Sequence, residues 1–207
     1  MTGRKMCIEL RGTKVRLGFA AAAVAACLMN TVSPALLAAG ALGVLIHELT
    51  HLLLMRYFGC RHSRVEILPG GVKIVSAEFE TLGYRQASIC LLGAPAVNLL
   101  LSAVFSAAKA SYGYEWMRDA AAGNLLLGAV NLLPMPFLDG GRSLEYLLSC
   151  RISVQAARSA VRKTGAVCLL LMAAYSVFLF LTGHCPVGFL LFFGYCLAAQ
   201  LSGMAKK

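Results

Sequence analysis

Hydrophobic and polar positions in this chain segregate over tens of residues rather than over single helical turns. Leu17 to Ile46 contains no Asp, Glu, Lys or Arg, and neither does Thr164 to Ala205. A bilayer-spanning helix needs about 20 apolar residues, so each run has room for two short spans. Two further apolar stretches lie between them. The pattern predicts six spans, at about 17–32, 35–57, 87–108, 120–138, 165–182 and 186–203.

The polar stretches predict the connections. Gly59 to Arg85 lacks helical periodicity. Within it Arg64-Val65-Glu66-Ile67-Leu68 alternates like a strand, Pro69-Gly70-Gly71 is turn chemistry, and Val72 to Val75 resumes the alternation. Pro95 lies inside the third span, where a freed carbonyl is tolerable only if neighbours satisfy it. Pro134, Pro136, Gly140 and Gly141 fall within ten residues and predict a helix break near Asp139. Arg142 to Lys163 reads as a connection with some amphipathic helix. The expected fold is therefore all-α and polytopic, with about six transmembrane helices and a small membrane-associated β-hairpin after the second. One transmembrane domain covers residues 1–207, with no separate soluble domain.

Composition agrees: the chain is 59% hydrophobic and 14% charged, against about 25% charged in ordinary soluble domains. The net charge of +10 changes the picture only through its placement. With a cytoplasmic N-terminus, 17 of the 19 basic residues fall on the inner side and only Lys109 and Arg118 outside, the asymmetry expected of a membrane protein. No basic run is interleaved with stacking aromatics, so nucleic acid is not an expected partner. The eight cysteines are scattered without CxxC spacing, which excludes a disulfide framework and a cysteine zinc site. A cleaved segment ending at Ala25-Ala26-Cys27 is an alternative to a first helix hairpin turning at Asn30 to Pro34.

The second span carries His47-Glu48-Leu49-Thr50-His51. Histidines four apart lie on one helical face and can reach a single metal, and the glutamate projects beside them as a base. An ionisable group in mid-membrane costs about 2.5–3.5 kcal/mol, so three within five residues call for a function. A hydrolytic zinc site wants a third protein ligand. The chain has two aspartates, Asp119 and Asp139; the topology puts Asp119 on the outer side and Asp139 at a depth matching the histidines. Capping of the following helix is the plainer role for Asp139. A metal transporter would need further ligands along its path, yet the other spans offer only His184. An inactive scaffold sits poorly with the intact Glu48, and a protease for soluble peptides with HELTH inside an apolar helix.

The HELTH helix, the Pro95 to Asn98 element and the Asn131-to-Gly141 segment resemble the site-2 protease family of intramembrane zinc metalloproteases. The six-span arrangement and the LPGG turn are similar to its stage IV sporulation protein FB type. The likeness runs over residues 35–145. It implies one zinc ion per chain held by His47, His51 and Asp139, with Glu48 as general base. Its implied substrates are membrane-tethered regulators such as pro-sigma or anti-sigma factors, cut in the bacterial cell membrane near the cytoplasmic side, with a regulatory membrane partner. Both termini would be cytoplasmic. Asn98 and Asn131 match family asparagines that hold substrate or the oxyanion, or that bond between helices; Gly70 and Gly71 are further candidates for substrate contact. Two departures stand out. Ala94 replaces the usual glycine before the proline, with Gly93 one position earlier, and no CBS domain is expected after Lys207.

Overall fold

The computed structural model describes residues 6–10, 13–17, 34–61, 63–68, 71–183 and 187–205. The first predicted span, the cleavage alternative at Ala25 to Cys27, and Gly70 lie outside them, apart from Leu17. The chain divides into two compact units, Met1–Val130 and Asn131–Lys207, taken in turn.

In the first unit, helix α1 runs from Pro34 to Tyr57. It stops at Gly59, whose φ of 98° suits only glycine, while Gly59 and Cys60 donate back to the carbonyls of Arg56 and Met55 at 3.0 and 2.9 Å. That is a helix end closed on its own last turn. Helix α2, Tyr84–Tyr112, opens with the Gly83 amide donating to the Gln86 side chain at 3.2 Å. It closes at Gly113, with φ 79°. Helix α3, Glu115–Asn131, follows at once. At this joint Lys109 bonds both the Gly113 carbonyl and Glu115. The bond and charge of Lys109 hold the exposed Glu115 carboxyl below the usual range, Arg118 adding to them.

Helices α2 and α3 pack through small and polar residues at helical spacing. Ser102 donates to the Ala121 carbonyl at 2.8 Å, Asn98 to Asn124 at 2.8 Å, and a Cβ on Gly128 would stand 3.0 Å from the Pro95 carbonyl. Small residues permit such close backbone approach in an apolar medium. The departure at Ala94 is absorbed in the same way: Ala94 is wholly buried, and Gly93 lies so close to Leu54 of α1 that a Cβ would overlap it.

Four short strands complete the unit: β1 Met6–Leu10, β2 Thr13–Leu17, β3 Ser63–Leu68 and β4 Gly71–Val75, in that order across one sheet. β1 and β2 are antiparallel, β2 and β3 parallel, β3 and β4 antiparallel with Leu68 opposite Gly71. Residues 6–16 carried no predicted element. Their alternation, clearest in Lys14-Val15-Arg16-Leu17, is strand-like, and Leu17 ends a strand instead of opening a span.

In the second unit the predicted span 120–138 is cut short. α3 ends at Asn131, and residues 132–138 turn before helix α4, Asp139–Ser149. The reason is Pro134 and Pro136, each of which bars α conformation at the residue before it. The stretch Arg142 to Lys163 divides into α4 and the start of α5, Val154–Leu181, whose first turn is capped by Ser153 accepting from the Ala156 amide at 3.3 Å. Helix α6, Val187–Ala205, follows. Met135, Leu169 and Cys196 form a buried cluster, with Leu133, Phe137 and Phe192 packed against it.

Among the described residues three helical stretches are long and apolar enough to cross a membrane, Ala38–Tyr57, Tyr84–Tyr112 and Val154–Leu181. Phe189–Leu201 is a shorter apolar stretch, and α3 has 17 residues. Leu45 and Leu53 of α1, and Leu170, Leu171 and Phe180 of α5, stand more than half exposed. Each such side chain would forfeit about 1.5–3 kcal/mol in water. The helical architecture is that of a polytopic membrane protein.

Candidate metal centre

Both histidines of the HELTH segment lie on the buried face of α1, His47 at 4% and His51 at 8% exposure. Their four-residue spacing stacks them one turn apart, with rings edge-on at 84° and centroids 4.8 Å apart. Glu48, between them, is half-buried.

Each Nδ1 is bound to an oxygen. His51 Nδ1 lies 2.8 Å from the Cys90 carbonyl, which can only accept, so Nδ1 carries the proton. His47 Nδ1 lies 2.6 Å from Asn98 Oδ1, again an acceptor. Both Nε2 atoms are then unprotonated, yet they stand 3.2 Å apart. With neither Nε2 protonated, that contact is a repulsion between two lone pairs, not a hydrogen bond. Two nitrogens on one tetrahedral zinc, each about 2.0–2.1 Å from the ion, stand about 3.3 Å apart. The two imidazoles fit a shared metal in distance, tautomer and donor type.

Asp139 is the first residue of α4 and is half-buried. Leu138 holds the capping position in extended conformation, with φ −102° and ψ 160°. The Leu138 amide bonds the Met135 carbonyl at 3.0 Å, and the Arg142 amide bonds the Leu138 carbonyl at 3.0 Å. Gly140 and Gly141 let this first turn lie directly on the backbone of Leu132 and Met135, where any Cβ would collide with a carbonyl. The Asp-Gly-Gly triplet thus fixes where the carboxylate leaves the chain. Thr164 ties the same turn to α5 through the Pro134 carbonyl at 3.0 Å.

Of the candidate substrate residues, Asn98 is fully buried. Its Nδ2 donates to Asn124 Oδ1 at 2.8 Å and to the Gly43 carbonyl at 3.3 Å, so both ends of the amide are engaged. Asn131 is half-buried at the end of α3, and Gly71 opens β4. Sequence reasoning missed Asn124 and the Cys90 carbonyl. The first was legible only as a lone amide in an apolar stretch, and the second is a backbone atom that leaves no mark in a sequence.

Comparison with known proteins agrees with these motifs. Residues 107–172 match the model of Peptidase family M50; this stretch includes Asn131 and Asp139 but begins after the HELTH helix. The chain is 31% identical over 137 residues to stage IV sporulation protein FB of Bacillus subtilis, covering 65% of this chain and 48% of that protein. It is 35% identical over 143 residues to Rip3 of Mycobacterium tuberculosis, whose name describes a zinc metalloprotease, covering 63% of this chain and 35% of Rip3. The chain thus spans half or less of the length of these relatives. The fold matches the solved site-2 protease of Methanocaldococcus jannaschii with a TM-score of 0.70, over 96% of this chain and 94% of that one, at 18% identity. The family model and both relatives bear out the resemblance to the site-2 proteases.

Proposed function

We propose that this chain is a zinc metalloprotease of the bacterial cell membrane that hydrolyses peptide bonds of membrane-tethered regulatory proteins within or beside the bilayer. The observation that carries this reading is the pair of buried imidazoles on an apolar helix, both Nδ1 atoms tied to oxygens and the two Nε2 atoms 3.2 Å apart. His47, His51 and Asp139 would hold one zinc ion; two imidazoles and a carboxylate are a donor set suited to hydrolytic zinc. Zinc bound there would lower the pKa of water to about 7 and would supply Lewis acidity to the scissile carbonyl.

The chain's own groups do the rest. Glu48 takes a proton from the attacking water and delivers it to the leaving amine. No side chain forms a covalent bond to substrate. The surrounding apolar helices exclude bulk water and strengthen these polar contacts. The substrate, unwound locally, adds as a strand beside β3 and β4 at the membrane surface, and Asn131, Gly70 and Gly71 are the candidate residues for contact with it. Asn98 serves His47 in preference to the substrate, since both ends of its amide are occupied. The charge asymmetry favours a cytoplasmic placement of the N- and C-termini and of the active-site end of α1, and a membrane partner regulates access.

Two measurements test this. Purified in detergent with metal supplied, the wild type is expected to carry about one zinc per chain. His47→Ala and Asp139→Ala are expected to lose most of it. Membrane and soluble fractions of cells expressing wild type or Glu48→Gln are then compared by N-terminal proteomics. Fragments cut inside predicted spans should occur with wild type only, while Glu48→Gln keeps its zinc. Zinc retained without Asp139 would refute the ligand set; equal fragments from Glu48→Gln would refute the base.

A further inference from the structure

Asn98 and Asn124 are two carboxamides buried between helices, at 0% and 3% exposure. An asparagine at such a site can be turned either way unless its partners decide, because its two ends are alike in shape and opposite in hydrogen-bonding sense. Here they decide. Asn124 Nδ2 lies 2.9 Å from the Ala120 carbonyl, which can only accept, so Asn124 must present its oxygen to Asn98. That oxygen, together with the Gly43 carbonyl, demands the amide end of Asn98 at 2.8 and 3.3 Å. The Asn98 oxygen is thereby left for His47 Nδ1 at 2.6 Å. Turning Asn98 over would set its oxygen against two other oxygens. Every bond in the series points one way.

We propose that Asn124 and Asn98 form a directional hydrogen-bond relay, anchored on the Ala120 and Gly43 carbonyls, that keeps the proton of His47 on Nδ1 and so keeps Nε2 unprotonated, as a metal ligand must be. Both are positioning residues: they act through His47 and touch neither substrate nor metal. The proposal rests on the zinc reading for its use, and on α1, α2 and α3 alone for its geometry. His51 has no such relay. A backbone carbonyl, that of Cys90, fixes it directly. The two histidines therefore respond differently to side-chain substitution, which gives the test its contrast.

The test is 15N NMR of histidine-labelled, metal-free protein in detergent, with His62 and His184 replaced by Gln so that only His47 and His51 report. It is paired with zinc affinity measured by chelator competition. Wild type should show both rings protonated at Nδ1. In Asn98→Leu one ring should lose that preference and the other keep it, and zinc affinity should fall about 10–100-fold, the usual cost of losing a partner behind a metal ligand. Asn124→Leu should shift both readouts in the same direction and by less. Asn124→Asp should recover them, since a buried carboxyl kept protonated donates to Ala120 and accepts from Asn98 as the amide does. Residues with only a packing role would lower the melting temperature and leave the tautomer alone. His47 protonated at Nε2 in the metal-free wild type would overturn the proposal. So would unchanged zinc affinity in both leucine variants. A wild type protonated at Nδ1 that takes up no zinc would uphold the relay and sink the zinc reading. Should Asn98→Leu fail to fold, the wild-type spectrum and the Asn124 pair still decide.

Discussion

At the scale of residues, the site depends on what has been left out of α1 as much as on what it carries. Gly43 stands one turn before His47, and a Cβ there would sit 3.3 Å from Asn124 Oδ1 and 3.5 Å from its Nδ2. In an unobstructed helix Gly→Ala stabilises by about 1 kcal/mol. Here the methyl must displace Asn124, and overpacking of this kind costs about 1–3 kcal/mol. Gly43→Ala is therefore expected to bring no gain in melting temperature and to weaken zinc binding several-fold, as read by chelator competition. A variant that melts higher and binds zinc as wild type does would show that Asn124 has room to yield. The histidines and Glu48 were legible because their chemistry and spacing lie within five consecutive residues. Asn98 was legible as a polar group in an apolar span, but its task was not. Its acceptor partner Asn124 lies 26 residues away, and only the α2–α3 packing of Ser102 on Ala121 and Pro95 beside Gly128 brings them together.

At the scale of elements, the spans emerged from the apolar runs and their ends did not. The prolines that stop α3 early were in view, yet the run of apolar residues through Leu138 drew the predicted helix seven residues too far. Cys150 to Ser153 separates α4 from α5 with a serine cap, a signal visible in the sequence but hidden by the strong charge of the segment around it. Strands β1 and β2 were missed because five-residue elements gain their stability from pairing, and the partner of β2 is β3, some fifty residues on. The Asp-Gly-Gly turn is the opposite case, where sequence and geometry coincide. A methyl on Gly141 would collide with the Met135 carbonyl and with its nitrogen at 2.8 Å, and backbone cannot move aside as a side chain can. Gly141→Ala is expected to destabilise the Asn131–Lys207 unit by more than about 3 kcal/mol, at the large end of single substitutions. It should appear as a lowered melting temperature and as proteolysis between Leu132 and Asp139. Gly123→Ala, inside α3 with nothing within 4 Å of the added atom, is the control and should be stabilised by up to about 1 kcal/mol. A Gly141→Ala protein as stable as that control would mean that the 132–135 backbone shifts freely.

At the scale of the whole molecule, what remains is which way the chain threads the membrane. Apolar length sets how many helices can cross, but it is the same read from either side; only charge distinguishes the two. Lipid-facing leucines on α1 and α5 are indifferent to orientation, whereas each Lys or Arg held near the anionic cytoplasmic leaflet gains about 1 kcal/mol. Under the positive-inside rule, seventeen basic residues against two predict an orientation with the Lys109–Glu115–Arg118 cluster outside and the α4–α5 connection inside. Cys150 lies in that connection and is exposed, whereas Cys60, Cys90 and Cys196 are buried and Cys168 is partly so. Burial, with the Glu78 charge adding to it, also pushes the Cys60 thiol up, so its reactive thiolate is scarce. An impermeant maleimide should therefore modify Cys150 in inverted membrane vesicles and spare it in intact spheroplasts, the label being assigned to Cys150 by its loss in Cys150→Ser. Labelling from the outer face alone would invert the topology. It would also carry the start of α4, Asp139 included, to the outer side, so that proteolysis would release substrate fragments away from the cytoplasm instead of into it.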